Sequence, residues 1–104
     1  MAKRRFMNVA KTRETKFDAG EVVVTPAASA ALEAHGQKVD DLLARHQAGD
    51  WGDVSHQVRA VNERGLAEQF NLQSVYTVGS GERVVVVTNR ERSLTMVHLD
   101  VDAC

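Results

Sequence analysis

One cysteine, one proline and five aromatic side chains (three Phe, one Tyr, one Trp) are all that 104 residues hold of these types. A lone Cys104 excludes an intrachain disulfide and a zinc site built from thiolates. So few aromatic rings leave no platform for a sugar, which argues against reading Asp50 and Asp53 as a glycosidase acid and base. The longest apolar runs, Val22 to Val24 and Val84 to Val87, fall far short of the ~20 residues of a membrane helix. No signal-length apolar stretch follows Lys3-Arg4-Arg5, so a cytoplasmic protein with no membrane partner is the expectation. Phosphate loop, nucleophile elbow, zinc finger and helix-turn-helix signatures are all missing. His35, His46 and His56 are spaced unlike any metal motif, and His98 stands alone in a predicted strand. No metal and no cofactor is expected.

The composition is that of one soluble domain, with 43% hydrophobic and 26% charged residues. Its net charge of −1 is unevenly spread: Met1 to Lys16 carries six basic residues against Glu14, and the remainder seven basic against thirteen acidic. This reads as a basic arm, 1–18, ahead of an acidic domain, 19–104. In the arm, Lys3, Arg4, Arg5, Lys11 and Arg13 are the candidate contacts to a nucleic-acid backbone, since each neutralised phosphate releases counterions. A solvated tail is the alternative.

Glu21 to Thr25 has the β-branched content of a short strand. Thr25-Pro26 is a helix start, with Thr25 as cap, and Gly36 is the stop. A second helix is predicted over Val39 to Ala48, where Val39, Leu42, Leu43 and His46 form one stripe. Asp50 or Asp53 then caps a third, whose stripe is Val54, Val58 and Val61, and which Gly65 weakens or ends. The period changes towards two for Leu72–Val78, Arg83–Thr88 and Leu94–Leu99, joined by connections too short for parallel pairing. The expected fold is α+β, order β-α-α-α-β-β-β: short helices on one face of a three- to four-stranded antiparallel sheet.

Two residue sets are candidate sites. Asp40, Asp41, Asp50, Trp51, Asp53 and Glu63 cluster in sequence and would suit a basic partner surface by charge complementarity. Arg83, Arg92 and His98 lie at the β-rich end, where guanidinium groups can bind a scissile phosphate, as in metal-independent ribonucleases of the RelE and barnase type. Charged residues that protect a hairpin edge are the competing explanation.

From Glu21 to about Leu99 the chain resembles small bacterial proteins of plasmids, phages and integrated elements known as plasmid-related proteins. The resemblance is carried by Thr25-Pro26 with Ala31-Leu32-Glu33, Leu43-Ala44-Arg45-His46, Gly49-Asp50-Trp51-Gly52-Asp53, Asn62-Glu63 with Leu66, Ser74-Val75-Tyr76, and Val87-Thr88 before Arg92-Ser93. The chain departs from that pattern at Asn89-Arg90 and from His98 to Cys104. The resemblance implies a mobile-element setting and lends no catalytic residues. Proteins of that setting often occlude a host protein or ribonucleoprotein complex, such as a CRISPR effector or restriction enzyme, and this is the expected role.

Overall fold

A computed structural model describes residues 15–79 and 81–100. The arm residues Lys3, Arg4, Arg5, Lys11 and Arg13 lie outside this range. Seven elements follow in the order β1 (Glu21–Val24), α1 (Pro26–Ala34), α2 (Val39–Gln47), α3 (His56–Glu68), β2 (Leu72–Val78), β3 (Glu82–Thr88) and β4 (Leu94–Leu99). The class is α+β, with three helices and a four-stranded sheet. Among the described residues no helix is long and apolar enough to cross a membrane.

The sheet order is β1-β4-β3-β2. β2, β3 and β4 form the antiparallel meander that their short connections dictate. The sheet is nevertheless mixed, not antiparallel throughout, because β1 runs parallel to β4 with Glu21 opposite Leu94 and Val24 opposite Val97. Three helices separate β1 from β2, and a connection of that length leaves strand direction open.

All three helices pack on the sheet face that carries Leu72, Ser74, Tyr76, Val78, Val84, Val86, Thr88, Thr95 and Val97. Ala28 and Leu32 of α1 and Leu42 of α2 meet Tyr76, Val78, Val84, Val86 and Val97 there. A second cluster joins Trp51 and Leu72 to Phe17, flanked by Val54 and Leu66. Phe17, within the sequence-defined arm, is therefore part of the core. On the opposite face Val75 and Val85 are register partners and are also buried, while Val23 is 37% exposed.

The local signals are those of helix capping. Thr25 Oγ1 accepts from the Ala28 amide (3.2 Å), and Pro26 opens α1. The third helix differs from its sequence reading at both ends. Its cap is Ser55, whose Oγ accepts from the Val58 amide at 3.1 Å, and it runs through Gly65 to Glu68. Neither Asp50 nor Asp53 caps it, because the backbone from Trp51 to Asp53 is hydrogen-bonded alongside Val75 of β2. Its inward stripe holds Asn62 and Gly65, whereas Val61 is half exposed. A Cβ at Gly65 would sit 3.0 Å from Leu72 Cδ2, so glycine there permits close approach of helix and strand.

Candidate functional site

The richest concentration of polar chemistry lies where the last turn of α2 and the segment Gly49 to Asp53 meet the sheet. Gly49 turns with φ +87°, and Gly52 with φ +75° brings the chain alongside β2. There the Val75 amide donates to Trp51 O (3.1 Å) and the Asp53 amide to Val75 O (2.7 Å). One residue pair further along, the Asn62 side chain takes over the same edge: Nδ2 donates to Gln73 O (2.8 Å) and Oδ1 accepts from the Gln73 amide (3.1 Å). Backbone and side chain together cover the outer edge of β2 at Gln73 and Val75.

Beneath this edge His46 is fully buried, with Nδ1 2.6 Å from Ser74 Oγ and Nε2 2.9 Å from Thr88 Oγ1. Thr88 and Thr95 are 2.6 Å apart through their hydroxyls, and Thr95 donates to Ala19 O at 2.7 Å. Proton counting orients the whole chain. Thr95 spends its one proton on the carbonyl, so it accepts from Thr88, and Thr88 therefore accepts from His46 Nε2–H; burial keeps the ring uncharged, so Nδ1 accepts from Ser74. His46 is thus the neutral Nε2–H tautomer. Burial, with a smaller contribution from the charge of Arg92, depresses its pKa from 6.5 to about 3.

The ring of His46 is enclosed by Phe17 (5.1 Å between centroids, edge-on) and Trp51 (5.8 Å, edge-on), and these two stack at 6.3 Å. The indole N–H of Trp51 donates to Glu63 Oε2 at 2.8 Å. Arg92, in the left-handed region at φ +59°, donates to the carbonyls of Gly65, Phe70 and Asn89 and lies 5.5 Å over the Phe17 ring. Partial burial lowers its pKa. On the other side Arg45 pairs with Asp50 (2.8 Å) and lies 4.5 Å over the Tyr76 ring, whose hydroxyl donates to Asp50 O. The hydrogen bond to Asp50 raises the Arg45 pKa further. Thr77 donates to Asp53 Oδ2 at 2.7 Å.

The predicted acidic set divides accordingly. Asp50, Asp53 and Glu63 gather along the β2 edge, each bonded to a neighbour in the fold. Trp51 is wholly buried and is a core residue, not a surface contact. Asp40 and Asp41 are exposed in the first turn of α2, at the opposite end of that helix from Arg45. Of the basic set, Arg83 and His98 share the outer sheet face as diagonal neighbours, since Val85 pairs with His98. Arg83 forms a 3.7 Å ion pair with Asp100. Arg92 sits past the other end of β3, about 17 Å away by strand rise, and engages backbone carbonyls.

Ser74, Thr88, Thr95, Asn62 and Phe17 complete the site; sequence patterns assigned none of them this role, and Asn62, Ser74 and Thr88 stood out there only as pieces of the resemblance. The signal for the hydroxyls was their place on the core-facing parity of their strands, shared with Leu72, Tyr76, Val86 and Val97. Among the described residues no group of three His, Cys, Asp or Glu side chains converges to hold a metal ion. No protein-family model, curated protein or solved structure matches this chain.

Proposed function

We propose that this chain is a small non-enzymatic interaction protein of a mobile genetic element that binds a host protein or ribonucleoprotein complex and occludes its working surface, as inhibitors of CRISPR effectors and restriction enzymes do. The observation that carries the reading is the employment of the motif residues. His46, Asp50, Asp53, Asn62, Glu63 and Arg92 each satisfy another group of the same fold. Residues so engaged build a shape, and recognition is left to the surface. That surface is acidic: residues 15–100 carry eight Lys and Arg against twelve Asp and Glu, a net charge of −4. A basic groove that normally takes nucleic acid is the complementary partner. The mobile-element setting rests on the sequence resemblance, and the basic arm would add nucleic-acid contacts.

Affinity capture of the tagged full chain from host lysate, with and without nuclease, tests this. A stoichiometric protein partner that survives nuclease is expected. Replacing Asp40→Lys together with Asp41→Lys is expected to weaken that complex at least about tenfold while far-ultraviolet dichroism stays unchanged. The loss of helix-dipole compensation costs only about 0.5–1 kcal/mol per site. Undiminished capture by the double variant would remove the acidic end of α2 from the interface.

A second reading is favoured by the shared outer face of Arg83 and His98, which places a cation beside a histidine as ribonuclease chemistry requires. If it holds, expression arrests growth, and Arg83→Ala with His98→Ala relieves the arrest without unfolding. Growth unaffected by the wild-type chain would eliminate it.

A further inference from the structure

The two edges of the sheet are treated differently. The outer edge of β2 is covered at Gln73 and Val75 by Trp51, Asp53 and Asn62, as described above. The outer edge of β1 is not. Glu21 donates to Ser93 O (3.0 Å) and Thr25 to Val97 O (2.9 Å), so alternate residues of β1 face β4. The intervening peptide groups of Val22 and Val24 point away from the sheet and have no hydrogen-bond partner among the described residues. Between Glu21 and Val24 the strand has no lysine, no proline and no bulge; its only protections are its shortness and the charge of Glu21.

We propose that the free edge of β1 is a homodimer interface, on which the β1 strand of a second copy pairs antiparallel about a two-fold axis at Val23. The pattern is self-complementary, as an isologous contact demands. With the axis at Val23, Val22 of one copy faces Val24 of the other, and each pair exchanges both of its N–H···O=C bonds. Val23, 37% exposed on the outer face, meets its own copy at the close, non-hydrogen-bonded position, with Cα atoms about 4.5 Å apart. Val22 and Val24, partly buried and packed on the main core cluster, meet their counterparts on the helical side. This register also sets Glu21 opposite Thr25 of the second copy, so no carboxylate faces its own image. Two sheets of four strands become one of eight. Gly20, at φ +68°, and Pro26 confine the pairing to these few residues, so the dimer is weak and concentration-dependent.

Sedimentation equilibrium of the full, nucleic-acid-free chain between about 10 µM and about 1 mM reads the association directly. Wild type is expected to pass from monomer to dimer in this range. Val23→Lys, which places like charges across the axis at an exposed site, is expected to weaken dimerisation at least about tenfold. Val22→Pro removes an outward amide without touching the bonds to β4 and is expected to act likewise. Amide exchange fixes the location: protection of Val22 and Val24 rises with concentration, while Val23 is indifferent to it. A chain that stays monomeric at about 1 mM overturns the proposal. A dimer insensitive to both variants, or one that leaves the Val22 and Val24 amides unprotected, also overturns it. Thermal unfolding of each variant at low concentration separates lost pairing from lost fold.

Discussion

Trp51→Ala is expected to unfold the protein or bring it to the margin of stability. The indole is completely buried, stacks on Phe17, meets His46 edge-on and donates to Glu63. Its truncation removes the largest buried side chain from the smaller core cluster and exposes the His46 ring to the cavity. Such replacements cost about 3–5 kcal/mol, against a total of about 5–15 kcal/mol for a domain of this size. Trp51→Phe, which keeps most of the apolar volume and loses only the bond to Glu63, is expected to cost about 1–2 kcal/mol. Denaturant unfolding followed by far-ultraviolet dichroism measures both, because the alanine variant lacks the only tryptophan fluorophore. Equal stability of the two variants would show that the hydrogen bond, and not the packing, is what Trp51 contributes.

A steep loss of stability under mildly acidic conditions is the second large effect. His46 has a pKa of about 3 in the fold and about 6.5 in the unfolded chain, so between these values the unfolded state binds the extra proton. The sign follows: stability is complete above about pH 6.5 and falls as pH is lowered towards 3, by about 1.4 kcal/mol per unit and on the order of 5 kcal/mol in all. The diagnostic window is pH 6.5 to 4.5, before ordinary carboxylates titrate near 4. His46→Gln is expected to be less stable at pH 7, since the hydroxyl chain from Ser74 to Thr95 loses its ring partner, yet to show a flattened slope in that window. If the variant's stability falls with acid as steeply as the wild type's, the slope originates elsewhere.

What the sequence disclosed and what it withheld divide along a physical line. Strands β2, β3 and β4 were legible because valine-rich alternation and short turns act locally, and α1 because Thr25 and Pro26 are a chemical start signal. The direction of β1 was not, since Glu21 to Val24 suits either orientation and only its distant partner decides. The start of α3 was misplaced because Asp53 has the chemistry of a cap, but its peptide group is already committed to Val75. The site was half legible. The motif from His46 to Asp53 stood out as residue types, but its role depends on Ser74, Thr88 and Thr95, hydroxyls whose importance appears only when three strands align them.

The parallel pairing of β1 with β4 has a kinetic consequence. Glu21 meets Leu94 across 73 positions of chain, so the loop closed by this contact spans most of the described residues. Contacts of such separation form late and slow folding. During synthesis, which proceeds from the N-terminus, α1 emerges attached to a strand that has no neighbour until β4 has been made. Throughout that interval Val22, Val23 and Val24 are a bare apolar ribbon on the nascent chain, and the whole domain must wait for β4 before its first strand has a place.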